Sequence, residues 1–223
     1  GEEVDNDMAT TSEAKRQRMT QERVLAGALE LADTIGVEPF TIRKLATHLD
    51  VKPMTIYHHV PNKETIIDGI VDLVFAEIDL PPEDLDWKSA IRRRCVSVRR
   101  VLGRHPWATP LMESRTSPGH ATLRHHDAVL GCLRRGGLSL PTTAHAYAVI
   151  DSYVYGFALQ EASLPFDGDC DDLGELAEAI VAALPADEFP HLTEFTAEHV
   201  LPPGYSFGGT FENGLDQLLD GIE

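Results

Sequence analysis

Apolar residues recur at the three- and four-residue spacing of an amphipathic helix through most of this chain, and that spacing limits the fold more than any other feature. The first such stripe consists of Val24, Leu25, Ala28, Leu29, Leu31, Ala32 and Ile35. Proline and glycine interrupt the pattern at intervals, as they do at helix ends. No convincing run has the alternating pattern of a strand bounded by turn residues. The sequence therefore predicts an all-α fold.

Capping residues divide the first 80 residues into four helices. Thr20, Thr41 and Asn62 each precede a helical stripe, and their side chains can accept hydrogen bonds from free backbone N–H groups. Gly36 is typical of a helix end, and Pro53 suits a first helical turn. The expected helices extend over about 21–35, 42–49, 53–59 and 62–79.

Further helices are predicted beyond residue 80, at about 87–104, 118–135, 141–164, 172–184, 187–199 and 208–222. From this organisation we expect a flexible arm at 1–19, a helix-turn-helix domain at 20–80 and a larger helical domain at 81–223.

Acidic residues dominate the chain unevenly. The formal net charge is −17, from 19 Lys and Arg against 36 Asp and Glu. Residues 13–67 carry a net charge of only +1, whereas residues 68–223 carry −14 and contain no Lys or Arg after Arg135. A uniformly acidic chain would repel nucleic-acid phosphates. This distribution places most of the acidity in the second part and suggests two functional regions.

The sequence predicts a cytoplasmic protein with reduced thiols. Residues 1–15 are polar and lack the hydrophobic region of a signal peptide, and no run of about 18 apolar residues is present. Cys95, Cys132 and Cys170 are far apart and form no CxxC pair. This spacing gives no support to a disulfide framework or to a thiolate zinc site.

Two short helices around a turn of about four residues, beginning at Thr41, form a helix-turn-helix pattern. The positions that must pack inward are apolar, namely Leu45, Ala46, Leu49, Val51 and Ile56. The outward face of the second helix must read bases and hold phosphates. It carries Lys52, Pro53, Met54, Tyr57, His58 and His59, and Lys63 begins the next helix.

This part of the chain resembles the tetracycline-repressor (TetR) family of transcriptional regulators, and the likeness extends over about 20–79. It is strongest in residues 41–70, TIRKLATHLDVKPMTIYHHVPNKETIIDGI. It is carried by Leu45-Ala46, Val51, Ile56-Tyr57-His58-His59 and Asn62-Lys63-Glu64. One departure is Asp50, where the family usually has glycine. The turn needs a positive φ there, which Asp tolerates better than most residues.

The resemblance implies that the exposed residues of this domain contact DNA. The residues implied to contact phosphates are Thr41, Arg43, Tyr57, His59 and Lys63, with His58 beside them. The residues implied to contact bases in the major groove are Lys52, Pro53 and Met54. Considered as residues alone, Tyr57 could be a partly buried core aromatic, and Lys52 and Lys63 could be solvated surface charges. A metal site at His58 and His59 is not expected, because adjacent helical residues point about 100° apart.

In this family the region after the fourth helix binds a ligand and forms the dimer, and the resemblance there rests on architecture. We expect the small-residue helix at 141–164 and the last helix, from Phe211, to form a four-helix interface with a second copy. The residues expected there are Tyr153, Gly156, Leu215, Leu218 and Leu219. The alternative is that both are ordinary core helices.

Aromatic and soft side chains in this part suit an organic ligand. The predicted pocket residues are His105, Trp107, Met112, Tyr147, Tyr153 and Phe157, and for each of them core packing is an equal alternative. The acidity of the domain favours a neutral or cationic ligand.

The sequence predicts no cofactor. The resemblance does not imply binding of a magnesium–tetracycline complex. By rough alignment, the positions of the family's ligating histidines correspond to Asp79 and to a residue at about Met112. His120, His125 and His126 could form a metal site with Glu113, but packed or solvated histidines are the expected interpretation.

We therefore predict a homodimeric, ligand-responsive regulator that binds double-stranded DNA. It is expected to be a repressor that a small organic molecule releases from an inverted-repeat operator. An activator or an effector-free regulator of the same fold is an alternative. An all-α enzyme using Glu113 and the histidines around His120 is another, although the sequence offers no nucleophile–base constellation for it.

Overall fold

The computed structural model describes residues 18–164, 178–179, 182–183, 185, 187–202 and 204–223, and within these ranges it contains helices and no strand. The predicted all-α fold is confirmed. The α-helices are α1 (Gln21–Ile35), α2 (Ile42–His48), α3 (Pro53–Tyr57), α4 (Lys63–Ala76), α5 (Trp87–Arg104), α6 (His120–Arg135), α7 (Leu140–Ala162), α8 (Pro190–Phe195) and α9 (Phe211–Asp220). Short 3-10 helices cover Pro106–Leu111 and Phe207–Thr210, and one π-helical turn covers Thr196–Val200.

The described chain divides into two compact units. The first, here called the head, contains the described residues up to Leu73 together with Arg115–Gly119. The second, here called the body, contains Val74–Ser114 and the described residues from His120 onward. The division therefore falls inside α4, whereas the expected boundary lay near residue 80.

The three predicted caps hold the helices of the head. Thr20 and Thr41 accept hydrogen bonds through Oγ1 from the backbone N–H groups of Arg23 and Lys44, at 3.2 and 3.1 Å. Asn62 accepts through Oδ1 from the Thr65 N–H group at 2.9 Å. Each cap satisfies a backbone donor that the first helical turn leaves without a partner.

The turn between α2 and α3 has the backbone that the sequence indicated. Asp50 has φ 52°, and among the described residues it is the one non-glycine residue with a positive φ. Leu45 and Ile56 on either side are fully buried, and Ala46 is nearly so. The prediction that these side chains form the inner face of the helix-turn-helix is confirmed.

In the body, buried apolar side chains of α5, α6, α7 and α9 form the core, including Ile91, Leu133, Ile150 and Leu215. Several helix ends differ from the expectation. The helix expected at 208–222 is a 3-10 turn followed by α9, and the one expected at 187–199 is α8 followed by the π-helical turn. The 3-10 helix Pro106–Leu111 was not predicted.

Some predictions fall on other parts of the chain. The arm expected at 1–19 lies outside the described residues except for Arg18 and Met19, and Cys170 also lies outside them. Of the helix expected at 172–184, residues 178, 179, 182 and 183 are described, and all four are helical. A search of the described helices found none with the length and apolar character needed to cross a membrane.

Candidate DNA-binding surface and effector site

The outward face of α3 exposes the side chains that were expected to meet DNA. Met54 is 63% exposed and Tyr57 is 46% exposed. The others exposed on this face or at the start of α2 are Thr41, Arg43, Lys52, Pro53 and His58, and His59 is half-buried. Tyr57 is therefore partly buried, and nearly half of its surface remains exposed on this face.

The inward face of the same segment fixes this orientation. Ile56 and Val60 are buried in the head, and Pro53 occupies the first turn of α3. Gly27 of α1 lies so close to Leu49 that a β-carbon there would stand 2.5 Å from Leu49 Cδ2. The close packing of α1 against the end of α2 leaves α3 with one face available to a partner.

Lys63 has a different environment from the one expected. Its ammonium group donates to the Val37 carbonyl at 3.0 Å, lies 5.9 Å from the centre of the Phe40 ring, and is only partly exposed. The interpretation of Lys63 as a solvated surface charge is therefore wrong. The side chain ties the start of α4 to the connection between α1 and α2.

A contact that the sequence did not reveal holds the segment Arg115–Gly119 on α4 within the head. Arg115 donates through Nε to Asp68 Oδ1 at 2.6 Å and through Nη2 to Glu64 Oε2 at 2.8 Å. A β-carbon at Gly119 would stand 2.2 Å from Asp72 Cγ, so a larger residue there would require the Asp72 side chain to shift. These contacts join residues about 50 positions apart, which local spacing cannot predict.

Among the described residues of the body, the predicted pocket residues fall into separate groups. Tyr153 donates to the Phe211 carbonyl at 2.8 Å and stacks on the Phe211 ring. Phe157 stacks on Phe207 at 4.7 Å between ring centres. These rings pack α7 against α9, so the alternative of core packing describes Tyr153 and Phe157.

His105 and Trp107 form a second group, in which His105 lies 3.2 Å from Glu77 Oε2 through Nε2. Burial raises the pKa of Glu77, but hydrogen bonds from Arg104 and His105 outweigh it and leave this pKa below its ordinary value. Met112 is buried. A separate cavity of about 310 Å³ is lined by Trp87, Cys132 and neighbouring residues, and none of the predicted pocket residues lines it.

Tyr147, the remaining predicted pocket residue, belongs to a buried polar cluster. Arg94 of α5 is fully buried and donates through Nη1 to Asp151 Oδ1 of α7 at 2.6 Å. Its Nε and Nη2 groups donate to Nε2 of His125 on α6, at 3.0 and 2.8 Å. Three helices thus meet around one guanidinium group.

Two tyrosines border this cluster. Tyr147 is hydrogen-bonded through its hydroxyl to His126 Nδ1, and Tyr155 donates to Glu113 Oε1 at 3.2 Å. Burial, followed by the nearby Asp151 charge, raises the pKa of both hydroxyls, so both stay protonated. Burial also raises the pKa of Glu113. The cluster therefore places the neutral hydroxyl groups of Tyr147 and Tyr155 beside the ion pair of Arg94 and Asp151.

Arg94 and Asp151 were missed at the sequence level, although a signal for each was present. Arg94 falls on the same helical stripe as the buried Ile91 and Val98, and Asp151 follows Ile150 on the inner side of α7. A charged residue on an apolar stripe indicates a buried, paired ion.

The metal alternative finds no support. Among the described residues, no group of three or more His, Cys, Asp or Glu side chains is placed to hold a metal ion. His120 is exposed, His125 is buried against Arg94, and His126 contacts Tyr147. The rings of His125 and His126 contact each other edge to face, 6.0 Å between centres.

The predicted dimer residues divide into two sets. Leu215 and Leu219 are buried in the core of their own chain, which leaves them little surface for a second copy. Tyr153 packs on Phe211, and Leu218 is half-buried. Gly156, in contrast, faces open space in this chain. It lies on a face of α7 that also exposes small and apolar residues, namely Ala148, Val149, Ser152 and Leu159.

The head is a capped helix-turn-helix that exposes one face of its second helix, and the body is a larger helical unit with a buried polar cluster. This arrangement is that of a DNA-binding transcriptional regulator. Two family models match the chain: bacterial regulatory proteins of the tetR family over residues 24–70, and the tetracyclin repressor-like C-terminal domain over residues 80–223. The chain belongs to the tetR family of regulators.

Individual relatives agree with this assignment. An HTH-type transcriptional regulator of Saccharopolyspora erythraea is 31% identical over 206 residues, which cover 92% of this chain and 84% of that protein. The HTH-type transcriptional repressor DrrR1 of Streptomyces coeruleorubidus is 25% identical over 226 residues, covering 95% of this chain and 80% of the relative.

A solved structure is also similar. The TetR family protein ActR of Streptomyces coelicolor, in complex with actinorhodin, has a TM-score of 0.76 against this chain. The sequence identity is 25%, and the match covers 92% of this chain and 95% of ActR. The relatives named here are regulators, and one of them binds a small organic molecule in its crystal.

Proposed function

We propose that this protein is a homodimeric repressor that binds an inverted-repeat operator through α3 and is released by a small organic effector bound in the body. The observation that carries the proposal is the exposure of Met54 and Tyr57 on a short helix whose opposite face is buried. Large side chains exposed in this way on a recognition helix are available to bases and phosphates.

The proposed contacts follow the exposed groups. Lys52 can donate to a guanine, while Pro53 and Met54 can make apolar contact with a thymine methyl group. Arg43 and the Tyr57 hydroxyl are proposed to bind phosphates, with Thr41, His58 and His59 nearby. Lys63 keeps a weaker proposed role at phosphate, because one of its donors is held by the Val37 carbonyl.

Selection of bound duplexes from a random pool tests the DNA assignment. We expect an enriched inverted repeat with half-sites about one helical turn apart. Binding should weaken steeply as salt is raised. Lys52→Ala should change the enriched bases, whereas Arg43→Ala should weaken binding to all sequences about equally. Retention of the same enriched sequence by Lys52→Ala would contradict the base-reading role.

The proposed dimer surface is the exposed face of α7. A β-carbon at Gly156 meets nothing within 4 Å in its own chain, so Gly156→Leu does not disturb the body. We expect it to obstruct a second copy and to shift the protein toward monomer in sedimentation experiments. Gly103→Leu on α5, which also meets nothing within 4 Å, is the matched control and should stay dimeric.

The proposed direction of regulation draws on relatives: DrrR1 is named a repressor, and ActR is described with actinorhodin bound. A promoter–reporter assay with the selected operator distinguishes repression from activation. Release of the operator by an effector requires that the two ligands weaken each other reciprocally. Because its target is bacterial operator DNA, the protein is proposed to act in the cytoplasm, as a regulator and not as an enzyme.

A further inference from the structure

Around Arg94, the buried polar cluster of the body has two polar atoms without a hydrogen-bond partner. They are Nδ1 of His125 and Oδ2 of Asp151, both inaccessible to solvent. Across the described residues, buried side-chain atoms in this condition are Thr109 Oγ1, His125 Nδ1, Thr143 Oγ1 and Asp151 Oδ2. A buried polar atom with no partner destabilises the folded state, and such atoms are rare unless a ligand or an ordered water binds them.

The contacts of His125 fix which of its nitrogens carries the proton. Nε2 faces two N–H groups of Arg94, and a guanidinium group has donors only. Nε2 must therefore accept, and the proton lies on Nδ1. Burial, followed by the charge of Arg94, lowers the pKa of His125 to about 3, so the ring is neutral. The unpartnered Nδ1 atom is consequently a hydrogen-bond donor.

The unpartnered Oδ2 atom of Asp151 is an acceptor. The other carboxylate oxygen, Oδ1, accepts from Arg94 Nη1 at 2.6 Å. The Tyr147 hydroxyl interacts with both Asp151 and His126. A hydroxyl has one proton to donate, so while that proton points to His126 Nδ1 it leaves Asp151 Oδ2 as an acceptor. One free donor and one free acceptor thus flank the same guanidinium group.

Arg94 and Asp151 compensate each other and His125 is neutral, so these three side chains together carry no net charge, and Glu113 lies at the border of the cluster, where it accepts from Tyr155. A charged ligand would bring an uncompensated charge into this buried site. Aromatic rings border the cluster, among them Phe75, whose ring centre lies 5.3 Å from that of His125. The Tyr155 hydroxyl interacts electrostatically with both Asp151 and Arg94.

We propose that the Arg94–His125–Asp151 cluster is the polar anchor of the effector site and takes an uncharged aromatic molecule that carries both a carbonyl and a hydroxyl group. The carbonyl accepts from His125 Nδ1–H, and the hydroxyl donates to Asp151 Oδ2. The proposal rests on the proposed effector-responsive function and specifies the chemistry of the effector.

Hydroxyacetonaphthone isomers, which combine one hydroxyl and one acetyl group on a rigid ring, are suitable probes. Binding to the full-length dimer is measured by calorimetry and compared with acetonaphthone, which lacks the hydroxyl, and naphthol, which lacks the carbonyl. We expect at least one isomer to bind about 10-fold or more tightly than either comparison molecule, because a site with buried polar groups rejects analogues that leave them unpaired. Equal binding of all three, or no binding by any isomer, would overturn the proposal and leave the cluster occupied by water.

Asp151→Asn provides a second and independent readout. The amide removes the charge that compensates Arg94, so the anchor becomes cationic. We expect 6-hydroxy-2-naphthoate to bind this variant about 10-fold tighter than it binds the wild type, while the neutral isomers bind less tightly. Asp127→Asn, an exposed position on α6, is the matched control. If Asp151→Asn does not fold, the comparison of probes on the wild type still decides the matter.

Operator binding, measured separately, distinguishes this proposal from the proposed function. If an isomer binds through the cluster but does not release the operator, the anchor stands and the induction mechanism fails. If some other molecule releases the operator equally from the wild type and from Asp151→Asn, the protein is effector-responsive and the anchor assignment fails.

Discussion

The head and the body use charged and polar side chains in opposite ways. In the head, the side chains proposed to act on a partner are exposed around α3, and the buried positions are apolar. In the body, Arg94, His125 and Asp151 are buried together. An exposed residue can be substituted with little effect on folding, whereas a buried ion pair couples binding chemistry to stability. The comparison predicts that substitutions separate function from stability in the head and combine them in the body.

The largest expected effect comes from breaking the buried ion pair. Asp151→Ala leaves the fully buried Arg94 without its carboxylate, which typically costs about 3–5 kcal/mol of unfolding free energy. Asp79→Ala is the matched change at the exposed pair with Arg100 and should cost less than about 1 kcal/mol. Urea unfolding measures both. Similar losses in the two variants would show that burial does not distinguish these pairs.

The second effect is a pH dependence from His125, whose pKa falls from about 6.5 to about 3 on folding. Between these values the unfolded chain binds a proton that the folded chain excludes. Stability is therefore fully present above pH 6.5 and declines as the pH falls. From pH 6.5 to 4.5 this group alone contributes a loss of about 2–3 kcal/mol.

Unfolding curves of the wild type and of His125→Phe, taken across this range, measure that contribution. The variant should lose less stability than the wild type as the pH falls, whatever its starting stability. His145→Phe, at an exposed position of α7, should retain the wild-type slope. A parallel decline in wild type and His125→Phe would mean that His125 does not stay neutral in the folded state.

The comparison of head and body also explains how much the sequence could predict. Thr20, Thr41, Asn62 and Asp50 act on backbone groups within a few residues, so their roles in the head could be predicted from spacing. The pair between Arg94 and Asp151 joins residues 57 positions apart. Helical spacing predicts that such residues point inward, but it does not identify the partner.

The same reasoning explains the errors in the body. The resemblance placed Leu215 and Leu219 of the last helix at an interface with a second copy, but a resemblance in architecture does not say how much of that helix packs within its own chain. The structure shows that α5 and α7 contact α9 within the same chain. The six predicted pocket residues were chosen by type, and residue type does not separate a pocket wall from aromatic packing between helices.

In the head, removal of the Tyr57 hydroxyl should affect DNA binding alone. A hydrogen bond to a charged phosphate contributes about 1.5–3 kcal/mol, so Tyr57→Phe should weaken operator binding roughly 10- to 150-fold. The unfolding free energy should change little, because the side chain is 46% exposed. Fluorescence anisotropy measures operator binding, and urea unfolding of the same sample measures stability.

Tyr205→Phe, in the body, is the control for hydroxyl removal. A large loss of stability in Tyr57→Phe would show that Tyr57 supports the fold of the head.

The smallest effect is expected at Asp50, where the head has one strained backbone position. With φ 52°, this residue lies in the left-handed region, which glycine occupies without steric cost. Asp50→Gly removes that cost but increases the freedom of the unfolded chain, so the two changes oppose each other. We expect the unfolding free energy to change by no more than about 1 kcal/mol.

Asp50→Val, whose branched side chain tolerates this backbone poorly, should lose more unfolding free energy, about 1–2 kcal/mol. Equal stability of the glycine and valine variants would mean that this turn does not need a positive φ, and that packing of Leu45 and Ile56 alone positions α3.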